Sequence, residues 1–162
     1  MTSRFKVGQC IEGKVSTYAL SKQLHKDIWT ATYQAPPIDR SLSPLTLNRS
    51  SNLGKVIIKS ARKCRLENER DVLKHFNARL GIRQLLDETH DPPSLVLKHL
   101  DDNLLNVSNS KRLEKPEIKF IAKSILEALQ ALHDDGYVHT GMTLHFSFFN
   151  FRQDEYQQKS RY

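Results

Sequence analysis

Hydrophobic and polar positions keep a two-residue rhythm only in short bursts over residues 1–100, and beyond that point they change to a helical period. Segments 5–18 and 27–33 carry β-branched and aromatic residues, and the polar stretch 21–26 between them predicts a hairpin-like pair of strands. Residues 34–52 collect Pro, Ser and Asn, with Pro36-Pro37 and Ser43-Pro44, and read as a loop expected to be mobile. Lys55-Val56-Ile57-Ile58-Lys59 is a compact apolar strand. After a basic turn, residues 64–79 show a helical pattern that Gly81 ends. Strands are expected again over 82–86 and 95–98, and Asp91-Pro92-Pro93 forces the turn between them.

The helical part opens with a short segment, 101–107, followed by a long one, 116–133. The long segment places Ile118, Ile121, Ala122, Ile125, Leu129 and Leu132 on one face. Pro116 suits its first turn and Gly136 lies just past its end. The predicted order is five strands with one helix after the third, then helices only, which is an α+β arrangement with two subregions. No internal repeat is evident.

The chain has 162 residues, the length of one domain or of part of a larger one. With 38% hydrophobic and 27% charged residues, and only six Gly and six Pro, it is not collagen-like or low in complexity, and wholesale disorder is disfavoured. Cys10 and Cys64 cannot build a disulfide scaffold, and no Cys/His spacing suggests zinc. A reducing compartment is expected. Arg4, Lys6, Glu12 and Lys14 interrupt the N-terminal segment, which therefore does not read as a signal peptide, and no apolar run approaches membrane-spanning length. The expected location is intracellular, in cytoplasm or nucleus, with no membrane partner. The net charge of +7 raises the question of nucleic acid. The basic residues, however, are scattered and often sit beside acids, as over 22–27 and 62–71, which argues against that role.

Two charged residues bear on chemistry. Lys59 ends an apolar strand, and Glu69 in the next helix shares its face with Leu66, Leu73 and Phe76, so its carboxylate is directed to the apolar side. A charge placed there needs a partner, because an unpaired buried carboxylate costs at least several kcal/mol. Lys59 is well placed to supply it. The competing arrangement is a surface pair with Arg65, four residues back and worth only about 0.3–0.5 kcal/mol. Periodicity does not choose between the two.

Four landmarks occur in a telling order: Val56-Ile57-Ile58-Lys59; the helix ending in Glu69-Arg70-Asp71-Val72-Leu73-Lys74; Leu95-Val96-Leu97-Lys98-His99-Leu100; and Leu129-Gln130-Ala131-Leu132-His133-Asp134-Asp135-Gly136-Tyr137-Val138-His139-Thr140. Together they resemble a eukaryotic-type protein kinase domain, closest in look to fungal serine/threonine protein kinase-like proteins. The resemblance covers residues 5–140. It implies a small antiparallel-sheet N-lobe with one αC-type helix over 1–97, its loop 34–54 mobile, then a hinge at 98–101 and the first helices of a helical C-lobe over 102–140.

The resemblance also implies site residues. Lys59 matches the lysine that holds the α and β phosphates of ATP, and Glu69 matches the helix glutamate that orients it, with Glu67 as the fallback because the spacing of ten is short. Gly13 matches the first glycine of the phosphate loop. Ile57 stands at the alanine of V-A-I-K, Leu97 at the gatekeeper, and Lys98, His99 and Leu100 at the adenine-reading hinge. His139 matches the histidine of H-R-D and is expected to be a structural core residue. ATP with Mg²⁺ is the implied cofactor.

Departures from the family pattern are as informative. Gly13-Lys14-Val15-Ser16-Thr17-Tyr18 keeps one glycine of G-x-G-x-x-G, and Ile57 adds volume at the roof of the adenine pocket. Gly141 stands where the catalytic aspartate belongs. The tail 141–162, with Phe146-Ser147-Phe148-Phe149, contains no metal-binding asparagine and no D-F-G. Loss of a general base removes about 10²–10⁴ in rate, and loss of the Mg²⁺ anchors removes the main electrostatic stabilisation of phosphoryl transfer. The codons of Gly141-Met142 can read G-GT-ATG, which resembles an intron donor, and splicing after the first G can restore an Asp codon. The tail is therefore expected to be translated intron or the premature end of a longer kinase gene. The apolar face of 116–133 is then expected to need a protein partner or chaperone. Two roles remain open: a serine/threonine kinase-like domain inactive as written, and a non-catalytic pseudokinase-type module that binds nucleotide weakly or not at all.

Overall fold

A computed structural model describes residues 5–34, 54–77, 79, 81–100, 102–139 and 148–149. The fold is α+β. It divides into two compact units, one of Met1–Ala78 with Ile82–His99 and the other of Arg79–Gly81 with Leu100–Tyr162.

The first unit is an antiparallel sheet carrying one helix. Its strands are β1 (Cys10–Glu12), β2 (Thr17–His25), β3 (Ile28–Gln34), β4 (Lys55–Lys59), β5 (Leu85–His90) and β6 (Pro93–Lys98), in the spatial order β1-β2-β3-β4-β6-β5. The outer strands approach each other as well, because Gly13 bridges to Thr89, so the sheet curls on itself. Helix α1 (Lys63–His75) connects β4 to β5.

Strand alternation explains which residues lie where. On β4, Val56 and Ile58 face one side with Ile11, Tyr18, Leu20, Trp29, Ala31 and Val96, all at most 5% exposed. Ile57 faces the other side, with Leu66 of α1 and Leu95 and Leu97 of β6. Full burial of a Val or Ile side chain contributes about 1.5–3 kcal/mol, so this doubly buried strand is the spine of the unit.

The expected strand over 55–59 and the turn at Asp91-Pro92 are found, the latter as a cis peptide. Other boundaries moved, each for a physical reason. Residues 21–25 continue β2 instead of turning, because Lys22 and Gln23 pair with Thr30 and Trp29 across the ladder and backbone pairing needs no apolar side chain. The helix stops at His75, where Phe76 leaves helical geometry and buries its ring. Strand β5 lies three residues later than expected, with Asp87 and Thr89 as its inward positions. The expected loop 34–54 falls almost wholly outside the described residues.

The second unit contains β7 (Asp102–Asn103), α2 (Leu104–Ser110), α3 (Lys115–Asp134) and β8 (Phe148–Phe149), with β7 paired to β8. The Asn103 side chain accepts from Asn106 N at 2.8 Å and so starts α2 later than the apolar pattern suggested. A capping box of Glu114 and Glu117, with Pro116 in the first turn, starts α3. Gly136, at φ +80°, ends it. Gly81 lies so close to α3 that a Cβ there would sit 2.9 Å from that of Ala128. Ile121 is the buried residue of α3, whereas Ile118 and Leu126 are 51% and 64% exposed. Among the described residues, no helix is long and apolar enough to cross a membrane.

Candidate functional site

Lys59 is two residues beyond Ile57 on β4, so it leaves the sheet on the side that α1 covers. Glu69 lies on the α1 face that also carries buried Leu66 and partly buried Leu73. The two meet: Lys59 Nζ donates to Glu69 Oε1 at 2.8 Å. Their side chains remain 34% and 29% exposed, so the pair is open on one side to a ligand or to water. Glu69 therefore pairs with Lys59 and not with Arg65. The fallback acid, Glu67, sits 3.9 Å from Lys63 on the helix surface. Arg83 also feels this site: burial lowers its pKa, and the charge of Glu69 works in the opposite direction.

The segment matched to a phosphate loop is arranged differently from that expectation. Gly13 N donates to Ser16 O at 2.7 Å and closes a tight turn between β1 and β2. Its amides converge on Asp87 of β5, a side chain that the sequence reading did not single out. Asp87 Oδ1 accepts from Lys14 N at 3.1 Å and Glu88 N at 2.8 Å. Oδ2 accepts from Val15 N at 3.0 Å, Ser16 N at 3.3 Å and the Tyr18 hydroxyl at 2.9 Å. Asp87 is 6% exposed, and five donors justify a carboxylate at that depth. Burial, then the hydrogen bond and charge of Asp87, push the Tyr18 hydroxyl far above the ordinary phenol range. Gly13 is required by this packing, since a Cβ would overlap Asp87 Oδ2 and lie 2.8 Å from Tyr18 Cε2.

The neighbouring Glu88 joins three elements. It accepts from Lys14 Nζ at 3.0 Å and from Lys74 Nζ of α1, and its side chain is only 14% exposed. Burial raises its pKa, but the hydrogen bonds from Lys74 and Lys14 outweigh that and leave it below the ordinary value. Helix α1 is thus tied to the sheet by two ion pairs of opposite polarity, Glu69 to Lys59 and Lys74 to Glu88.

The remaining expected site residues fare unequally. Ile57 and Leu97 are opposite each other in the β4–β6 ladder and are 5% and 2% exposed, enclosed with Leu66 and Leu95. Lys98 N donates to Gln84 O at 3.0 Å, while His99 and Leu100 are partly exposed where the chain leaves the first unit. His139, expected in the core, is exposed, because the chain past Gly136 runs along the surface with Val138 at 76% exposure. Gly141 lies outside the described residues.

As a fit for ATP with Mg²⁺, these residues are mixed. The Lys59 ammonium, on a side chain one-third exposed, suits a phosphate oxygen, but the amides of residues 14–16 already have an anion. Among the described residues, no group of three or more His, Cys, Asp or Glu side chains is placed to hold a metal ion. The sequence signal for Asp87 was slight, an acid alternating with Leu85 and Thr89 on one strand, with partners about seventy residues upstream. Comparison with family models and with curated proteins gives no match for this chain.

Proposed function

We propose that this chain is a serine/threonine protein kinase-like domain whose sheet unit is an ATP-binding lobe and which does not transfer phosphate as written. The observation supporting this reading is the Lys59–Glu69 pair, an ammonium presented from a strand and oriented by a helix carboxylate at 2.8 Å. In phosphoryl-transfer enzymes such a pair holds a nucleotide phosphate by point-charge attraction. Gly141 in place of a proton acceptor is the reason to expect no turnover. A thermal-shift titration with Mg-ATP tests the reading. At tenfold excess over Kd, a bound nucleotide contributes about 1.4 kcal/mol. The expected result is a rise in Tm for the wild-type chain that Lys59→Ala abolishes; a wild-type chain indifferent to Mg-ATP overturns nucleotide binding.

A second reading, a pseudokinase-type module with little or no nucleotide affinity, is favoured by two observations. The turn that would cradle phosphate donates three amides to Asp87. Enclosure of Ile57 and Leu97 in the apolar cluster beneath α1 points the same way.

A further inference from the structure

We propose that the turn 13–16 is an anion-binding nest that carries its own occupant, the carboxylate of Asp87, and is thereby closed to phosphoryl groups. Three successive amides, those of Lys14, Val15 and Ser16, converge on one carboxylate, which is how backbone nests grip phosphate and sulfate. The Tyr18 hydroxyl adds a fourth donor from the strand that follows. The Ser16 hydroxyl, buried in the same turn, makes no hydrogen bond, so the turn holds one more donor than its occupant uses. Asp87 belongs to β5, at the opposite edge of the sheet from β1, and the bridge from Gly13 to Thr89 holds the two edges together. The occupant is therefore fixed by the curl of the sheet and does not depend on a mobile side chain swinging in.

Glu88 strengthens the closure. Its carboxylate pairs with both Lys14 and Lys74, so that with Asp87 the two acids balance the two lysines and neither ammonium is left without a carboxylate partner. An incoming phosphate would have to displace a carboxylate with five donors and approach another. The nest is self-inhibited, and any nucleotide phosphate attracted to Lys59 is held without these amides. This inference concerns the turn alone and stands or falls separately from nucleotide binding at Lys59.

The test uses the full chain and inorganic phosphate, with acetate as a carboxylate surrogate, read by the backbone amide resonances of Lys14, Val15 and Ser16 and by Tm. In the wild-type chain the three resonances stay put. In Asp87→Ala, which empties the nest, they shift saturably with phosphate or acetate, and the apparent affinity exceeds that of wild type by roughly tenfold or more. Asp87→Asn, which keeps the space filled, remains unresponsive. Saturable phosphate shifts of the three amides in the wild-type chain overturn the proposal, as does a folded Asp87→Ala chain that ignores both anions. If Asp87→Ala does not fold, the wild-type titration decides alone. Mg-ATP is absent throughout, so a negative result here leaves the Lys59 titration to be judged on its own.

Discussion

The hydroxyl of Tyr18 donates to Asp87 Oδ2 at 2.9 Å across the seam where the sheet curls closed. Both residues are buried, at 3% and 6% exposure, so the bond is made out of water and carries a full charge on its acceptor. Tyr18→Phe is expected to cost about 1.5–3 kcal/mol in urea denaturation at neutral pH. The pH dependence follows from the raised Tyr18 pKa. Stability owed to the neutral phenol is complete below the unfolded pKa of about 10 and is lost as pH rises above it. The gap between wild type and Tyr18→Phe therefore narrows on the alkaline side; a gap constant across that range would contradict the assignment.

Removing the acceptor is more damaging than removing one donor. Asp87→Ala leaves three turn amides and the Tyr18 hydroxyl without their acceptor in a buried site, and is expected to cost about 3–5 kcal/mol. Gly13→Ala should be comparably harmful, because its Cβ overlaps the carboxylate, whereas Gly8→Ala meets no atom within 4 Å and is penalised only for its φ of +82°. Equal melting temperatures for the two alanine variants would refute the packing argument at Gly13.

Much of the fold was readable from local pattern, and the chemistry of the turn was not. Helices α1 and α3 carry periodic signals and β4 a continuous apolar run, and the sequence face shared by Leu66, Glu69, Leu73 and Phe76 already makes Lys59 a candidate partner. What periodicity left undecided, Arg65 or Lys59 as partner, was decided by the pairing of β4 with its neighbours, which sets the direction in which Lys59 emerges. Residues 21–25 misled because a strand with both faces exposed has no two-residue rhythm to detect. Asp87 was invisible for a different reason: four of its five donors are backbone groups, which a sequence does not display, and the three from the turn lie 71 to 73 positions away. Gly13 was noticed, but as a place for a ligand's anion and not for the protein's own.

The ion pair at Lys59 should matter little to stability. With both side chains about one-third exposed, a double-mutant cycle of Lys59→Met and Glu69→Gln is expected to give a coupling of about 0.2–1 kcal/mol. The same substitutions should have their main effect on Mg-ATP response. A coupling several times larger would mark the pair as a structural strut and weaken the case for a ligand role.

Glu88 predicts acid sensitivity. Its pKa is lowered in the folded chain, so the stability it contributes is present above the unfolded value of about 4.3 and is lost as pH falls through the folded value. Wild type should exceed Glu88→Gln in stability at neutral pH and lose that advantage on acidification. Because Lys14 and Lys74 are about half exposed, the advantage should also shrink with added salt. A difference insensitive to both pH and salt would mean that Glu88 acts through packing and not through its charge.

Helix α3 separates burial from exposure along one element, and that contrast gives opposite expectations for neighbouring apolar residues. Ile121 is 5% exposed, and Ile121→Ala should lower stability by about 2–5 kcal/mol through lost burial and the cavity left behind. Ile118 and Leu126 are 51% and 64% exposed and contribute apolar surface to water. Leu126→Lys combined with Ile118→Lys should therefore leave Tm within a degree or two, since surface changes stay near ±0.5 kcal/mol, while raising the concentration at which the chain stays monodisperse. Light scattering and thermal melts on the same samples check both halves. A large drop in Tm for the double lysine variant would mean that these side chains are covered in the folded chain, and the exposure argument for α3 would fail.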